Sequence, residues 1–152
     1  MARLLASTVS AAHVRIDTLE QALRDLYAVS IEDEGYRLAH RVTADILCAR
    51  VSVVADSCNP LELSRRAWEQ VALESGAAFV NIEVLCSDAD EHRRRVEQRT
   101  ATVPGLRLPT WQDVQQREYQ EWTTERIQLD TAGRSASECL ETLVESLSRS
   151  EA

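Results

Sequence analysis

Short runs rich in β-branched residues alternate with longer helical segments along the whole chain, and this alternation restricts the fold more than any other feature. The runs predict strands at residues 14–16, 51–55, 78–86 and 126–129. Between and around them, apolar residues at three- and four-residue spacing predict helices at 2–12, 18–27, 32–48, 61–75, 88–99, 110–119 and 137–148. Because strands joined through helices form right-handed parallel crossovers, we predict an α/β fold with three α/β/α layers and a mostly parallel sheet.

Length and charge limit the classes of protein to consider. The 152 residues suit one domain, predicted to span 1–152 with an arginine-rich region at about 88–125. A net charge of −8 argues against nucleic acid as a partner. We find no apolar run long enough for a membrane span and no signal peptide, so we expect a cytoplasmic protein with no membrane partner.

Residue types that often carry chemistry are scattered or absent. All 17 basic residues are arginine, which excludes any reaction that needs a lysine. The cysteines lack metal or redox spacing, and the histidines are isolated, so we predict reduced core thiols and no zinc site. His40 and His92 are predicted to be exposed on helices, and the three tryptophans to serve packing rather than ligand stacking.

Polar side chains follow each predicted strand, where ligands bind in parallel sheets. Asp56 ends an apolar strand, so it could hold Mg²⁺ or only cap the next turn. Asp17 could accept a proton from a substrate hydroxyl, or only cap the following helix. Residues 86–88 and 130–131 are predicted at the same edge.

Four arginines lie within seven residues in the run 93–99 of this acidic chain. Arg95 and Arg99 are four residues apart on one helix face, with Arg94 near its edge, so their guanidinium groups could bind phosphate oxygens. The alternative is a solvated helix in which Glu91 and Glu97 pair with the arginines.

Five segments, taken in order, resemble the P-loop kinases that are grouped with AAA-family ATPase domains and related to zeta toxins, chloramphenicol phosphotransferase and gluconate kinase. The resemblance covers nearly the whole chain. The segments are 14–23 (VRIDTLEQAL), 53–61 (VVADSCNPL) with Ser64, Arg65 and Trp68, 83–99 (EVLCSDADEHRRRVEQR), 105–111 (GLRLPTW) and 129–134 (LDTAGR).

The resemblance implies a role for each candidate residue in an ATP- and Mg²⁺-dependent phosphotransferase. Asp17 would be the carboxylate on the substrate side, and Asp56 the Walker-B-like residue that holds Mg²⁺. The arginines would act from the lid, with Arg94 near the nucleotide and Arg95 and Arg99 at the transferring phosphoryl group. Asp130, Thr131 and Gly133 would belong to the loop on the adenine side.

The chain departs from the family pattern at its first motif. Residues 2–12 look like the later part of the helix that follows the family's G-x-x-x-x-G-K-[ST] loop, and neither the loop nor the strand before it is present. No lysine occurs, and the first glycine is Gly35. Because the loop and its lysine position the phosphates, we do not expect these 152 residues to form a competent kinase.

The missing strand also predicts a gap in the sheet. In the family it lies between the strands that correspond to 51–55 and 79–85 here, and each would be left with an unpaired edge. Either the two strands pair directly, or another chain fills the gap, or the sequence is truncated; we favour truncation. The alternative function is a non-catalytic interaction or regulatory remnant, with a homodimer formed through the orphaned edge or the apolar face around Trp68.

Overall fold

The computed structural model describes residues 1–27, 30 and 32–150 of the chain. Four strands alternate with seven helices in the described ranges, and none of these helices has the length and apolar character that a membrane span requires. The strands are β1 (Ala12–Arg15), β2 (Val53–Asp56), β3 (Ile82–Leu85) and β4 (Ile127–Asp130). The helices are α1 (Ala2–Thr8), α2 (Ile16–Tyr27), α3 (Glu34–Cys48), α4 (Glu62–Glu74), α5 (Ala89–Gln98), α6 (Trp111–Gln116) and α7 (Ala136–Ser150).

The strands form two separate parallel pairs. β1 pairs with β2 in the register that sets Arg15 opposite Asp56, and β3 pairs with β4 in the register that sets Leu85 opposite Asp130. The α/β class and the parallel pairing are therefore confirmed. The strands form two sheets with a gap between β2 and β3, because no ladder joins β2 to β3 among the described residues.

The strands on either side of the gap, β2 and β3, are called the inner strands. Each uses only half of its backbone groups in hydrogen bonds with its paired strand. Ala12 donates its N–H to the carbonyl of Ser52, and the register then directs alternate residues of β2 toward β1. Val53 and Ala55 therefore turn their backbone groups to the other side. In the second sheet, Ile127 donates its N–H to the carbonyl of Asn81. By the same alternation, Ile82 and Val84 turn their backbone groups away from β4.

These open edges bear on the three alternatives for the gap. Direct pairing of the two inner strands is contradicted, since the described strands form two sheets rather than one. Two side chains in the middle of the inner strands are also exposed, Ala55 on β2 and Val84 on β3. A partner in the gap or a truncated sequence both stay predictions.

Two small hydrophobic cores and the short helix α1 stabilise the arrangement of the two sheets. Val14, Ile16 and Ala39 form the core beside the first sheet, and Leu129, Cys139 and Leu143 form the core beside the second. Helix α1 contacts β1 and β2 on one side and α7 on the other, while α7 packs on β4. The sheets are thus connected through helices rather than through backbone pairing.

A buried arginine makes a second connection. Arg65 on α4 is 3% exposed, and its guanidinium donates to the carbonyls of Asn59, Pro60, Gln120 and Glu121 at 2.7–3.2 Å. It also lies over the rings of Tyr119 and Trp122, at 5.0 and 4.2 Å from their centroids. We call Arg65, Tyr119 and Trp122 the arginine cluster.

The arginine cluster reaches the second sheet through Glu83 on β3. The Glu83 carboxylate accepts hydrogen bonds from the Tyr119 hydroxyl at 2.7 Å, from Arg126 Nε at 2.6 Å and from Gln128 at 3.0 Å. Burial alone would raise the pKa of Glu83, but these three bonds outweigh it and hold the pKa below its usual range. Because α4 packs on α3 beside the first sheet, the cluster links the two halves of the fold.

Several local predictions need correction. Asp17 lies in the first turn of α2 and not at a strand end, because β1 ends at Arg15 and the helix begins at Ile16. Apolar spacing in the helix predicted at 61–75 places Leu63 on the inner face with Trp68, but Leu63 is 78% exposed and Arg65 is buried instead. His40, predicted to be exposed, packs edge-on against Trp68 at 4.5 Å, and burial lowers its pKa.

The four cysteines are free thiols, but only Cys139 is in a core. Cys48 and Cys58 are exposed, and Cys86 is intermediate. The prediction of core thiols is therefore wrong for the other three.

Candidate functional site

The end of the first sheet brings a histidine, an arginine and an aspartate together on one face. His13 and Arg15 are two residues apart on β1 and thus share a face, whereas Val14 between them is buried on the other. His13 Nε2 lies 2.8 Å from Asp56 Oδ2, and Arg15 Nε lies 4.0 Å from the same oxygen. Asp56 is thus held between two side chains of the neighbouring strand.

Arg15 connects this face to the start of α2. Its Nη2 donates to Asp17 Oδ2 at 2.9 Å, and its Nη1 donates to the Thr102 hydroxyl at 2.8 Å. Asp17 and Asp56, both predicted as site residues, are therefore brought together by one guanidinium. We call His13, Arg15, Asp17 and Asp56 the β1 cluster.

A cleft opens beside Asp17, with a cavity volume of about 510 Å³. We call it the α2 cleft; one wall is α2 and the other is the loop that follows Thr102. It is lined by Asp17, Glu20, Gln21, Arg24, Gly105, Leu106 and Arg107. The volume lies within the range of small-molecule sites.

Gly105 allows the loop that follows Thr102 to lie close to α2. Its φ of +77° lies in the left-handed region, and a Cβ there would come within 3.0 Å of Gln21 Nε2. The loop is fixed on its other side by the bond from Arg15 to Thr102 and by the buried side chain of Val103. The two walls of the cleft are therefore tied together.

The predicted residues of the second sheet form a separate cluster around β4. Arg95 donates to the Thr131 hydroxyl at 2.8 Å and to the Thr131 carbonyl at 3.0 Å, and it pairs with Glu91. Glu91 also accepts the N–H of Gly133 at 2.8 Å. Arg95, Thr131 and Gly133 thus lie together, and α5 is fixed to the loop after β4.

The Asp130 side chain is engaged within that loop. Its Oδ1 accepts the N–H groups of Ser87 and Ala132, both at 3.0 Å. These hydrogen bonds hold the pKa of Asp130 below its usual range. The strand ends thus form two polar clusters. One is the β1 cluster, and the other contains Arg95, Asp130, Thr131 and Gly133; no hydrogen bond joins the two within the described part of the chain.

Arg94 and Arg99 stay outside both clusters. Both are exposed, and neither forms an ion pair within the described ranges. Arg99 lines a second cleft of about 580 Å³ between α5 and α6, together with Trp111, whose ring packs edge-on against His92 at 5.2 Å.

The described surroundings of Asp56 do not favour a Mg²⁺ site on their own. Asp56 is the predicted ligand, but its Oδ2 already lies 2.8 Å from His13 Nε2 and 4.0 Å from Arg15 Nε, so two side chains of β1 occupy the space next to this oxygen. Within the described part of the chain, no group of three or more His, Cys, Asp or Glu side chains could hold a metal ion.

Sequence reasoning missed three residues of this region. The alternation in residues 12–15 (AHVR) is enough to place His13 and Arg15 on one strand face. Their pairing with Asp56 depends on strand register, which the sequence does not show. Arg107 was not singled out because nothing local distinguishes it from other loop arginines.

Comparison with solved structures identifies a similar fold in a protein from Chloroflexus aurantiacus described as a "putative kinase". The TM-score is 0.64 at 12% sequence identity, and the match covers 95% of this chain and 88% of the other. No protein-family model and no curated protein matches the sequence. At this identity the match shows the fold alone, an α/β fold that the two chains share.

Proposed function

We propose that this chain is a kinase-like domain of the P-loop type, built for phosphoryl transfer to a hydroxyl of a small molecule, and that these 152 residues alone are not a competent kinase. The observation that carries the proposal is the match in fold to the Chloroflexus protein over nearly the whole chain. The five sequence segments that resemble P-loop kinases agree with it.

The β1 cluster supports a site for the phosphoryl acceptor, the molecule whose hydroxyl group would receive the phosphoryl group. Asp17 opens into the α2 cleft, and its carboxylate is oriented by Arg15 through Oδ2, which leaves Oδ1 for a substrate hydroxyl. A fixed carboxylate at hydrogen-bond distance from a hydroxyl can accept its proton. Asp17 is therefore proposed as the general base, and Arg15 as the residue that positions it.

In this proposal, the nucleotide-binding side of the site needs a strand and a glycine-rich loop that the described residues do not supply. The chain has no lysine, Asp56 is surrounded by His13 and Arg15, and both inner strand edges are open. In this proposal Asp56, Arg94, Arg95 and Arg99 contact Mg²⁺ and ATP only once a strand and its glycine-rich loop lie between β2 and β3. Asp130, Thr131 and Gly133 would then face the adenine side.

Thermal unfolding with and without ATP and Mg²⁺ tests this proposal. The chain is compared with a version that carries an added N-terminal strand followed by a G-x-x-x-x-G-K-[ST] loop. We expect no rise in melting temperature for the chain alone and a rise of about 5–10 °C for the extended version at about 100 times the dissociation constant. A variant of the extension with the lysine replaced by alanine is the matched control.

Two results would contradict the proposal. A clear rise for the chain alone would show that these residues bind nucleotide without the loop. An extended version that folds but ignores nucleotide would remove the kinase-like function.

The open edges favour a second candidate, a non-catalytic module that binds a partner strand. Backbone groups of Val53, Ala55, Ile82 and Val84 are available for such a strand. This candidate predicts that the chain melts cooperatively alone and that neither version responds to nucleotide. A homodimer is one form of it, which sedimentation at two protein concentrations would detect.

A further inference from the structure

One side of helix α3 is exposed to solvent along most of its length. Ala39 and Thr43 on the opposite side are buried against the rest of the fold. We call the exposed side the α3 face; it consists of the exposed residues between 37 and 48, which are Arg37, Leu38, Arg41, Val42, Asp45 and Cys48. Leu38 and Val42 are four residues apart and each 37% exposed, so they are apolar neighbours on this surface.

The α3 face also carries two opposite charges, Arg41 and Asp45, which are four residues apart. Neither side chain forms an ion pair or a hydrogen bond within the described ranges. Their order is the less favourable one for a pair within a helix, because an acidic side chain pairs better when it precedes the basic one. The face thus presents one positive and one negative charge beside the apolar side chains of Leu38 and Val42.

This pattern is complementary to itself when two copies of α3 pack antiparallel. In the register that sets Arg41 opposite Asp45 of a second copy, the two-fold axis forms the same ion pair twice. Val42 then lies near the axis, and Leu38 lies opposite Cys48 of the second copy. A parallel arrangement would instead set Arg41 beside Arg41 and Asp45 beside Asp45, and like charges at an interface are costly.

From this arrangement we infer that the α3 face is the interface of a symmetric homodimer, in which Arg41 of each copy pairs with Asp45 of the other. The interface does not depend on the proposed function, and it does not use the open edges of β2 and β3. The helix has 15 residues and is about 22 Å long, so the contact area is below the ~1,200 Å² of a standard interface. We therefore expect a weak dimer, with a dissociation constant in the micromolar range.

Sedimentation equilibrium over a range of protein concentrations tests the inference with two charge-reversal variants. Arg41→Asp leaves two acidic side chains at these positions, and Asp45→Arg leaves two basic ones. Each variant alone should dimerise about 10-fold or more weakly than the unchanged chain, because like charges then meet across the axis. An equimolar mixture of the two should recover the association, because an acidic face then meets a basic one. Recovery would also show that both variants fold.

Arg149→Asp is the matched control, since it makes the same change in net charge as Arg41→Asp at an exposed site in the last turn of α7. It should leave the dissociation constant unchanged. Three results would overturn the inference: a chain that stays monomeric at every concentration, a dimer that withstands both charge reversals, or a mixture that does not recover the association. A dimer that withstands both reversals would form through another surface, such as the open strand edges.

Discussion

Arg65→Ala is expected to lower the free energy of unfolding by about 3 kcal/mol, which for a chain of this size lowers the melting temperature by about 6–12 °C. The substitution removes four hydrogen bonds to backbone carbonyls and the contacts with the rings of Tyr119 and Trp122. Carbonyl groups that lose a buried donor are costly to leave unpaired. Urea denaturation followed by circular dichroism measures the change.

The adjacent arginine is a matched control. Arg66 has a side chain that is 67% exposed, and it pairs with Glu62 on the helix surface. Because exposed ion pairs contribute little, Arg66→Ala should change the stability by less than about 1 kcal/mol. Equal effects of the two substitutions would show that the arginine cluster does not connect the halves of the fold.

Leu143→Ala is expected to destabilise the chain by about 3 kcal/mol, while Leu63→Ala changes its stability by less than about 0.5 kcal/mol. Leu143 is 1% exposed in the core beside the second sheet, where it packs with Leu129 and Cys139. Leu63 is 78% exposed. Leucine and alanine are both strong helix formers, so the change in helix propensity is small at either position and the difference measures mainly burial.

Guanidinium denaturation of the two variants gives this difference directly. A large loss of stability in Leu63→Ala would contradict the orientation of α4, and would restore the sequence-based expectation that Leu63 faces inward. A small loss in Leu143→Ala would mean that the second core is not closely packed.

Local sequence patterns predict the order and type of the elements. Apolar periodicity placed every helix and strand within a few residues of its observed position. Thr110, the first residue of the helix predicted at 110–119, caps α6 and forms a reciprocal capping box with Asp113. Asp56 stands at the end of β2 as predicted. Such features depend on residues close together in the sequence, so the sequence alone can indicate them.

Features that depend on distant residues were not predicted. The burial of Arg65 requires carbonyls from residues 59–60 and 120–121, which only the folded chain brings together. The site around Asp56 depends likewise on the register of β1 against β2. Apolar spacing on α4 therefore wrongly predicts that Leu63 is buried. Spacing alone takes no account of the arginine cluster, which buries Arg65 on this helix instead.

The divided sheet was only partly predictable. The resemblance to P-loop kinases indicates a missing strand, but it left open whether β2 and β3 would pair with each other. Four-residue strands provide few backbone hydrogen bonds, and helices α1 and α7 already join the two halves through side-chain packing. The fold thus keeps both edges open.

The proposed function depends on an open strand position between β2 and β3, which the nucleotide side of the proposed site would need. Amide hydrogen exchange measured by nuclear magnetic resonance tests it most directly. Val54 and Glu83 direct their N–H groups into the existing ladders, whereas Ala55 and Val84 direct theirs to the open edges.

We expect the amides of Ala55 and Val84 to exchange on the order of 100-fold faster than those of Val54 and Glu83, because only the second pair is hydrogen-bonded within a ladder. Exchange of Ala55 and Val84 as slow as that of their neighbours, at every protein concentration, would mean that the chain closes its own sheet. That result would contradict an open strand position between β2 and β3.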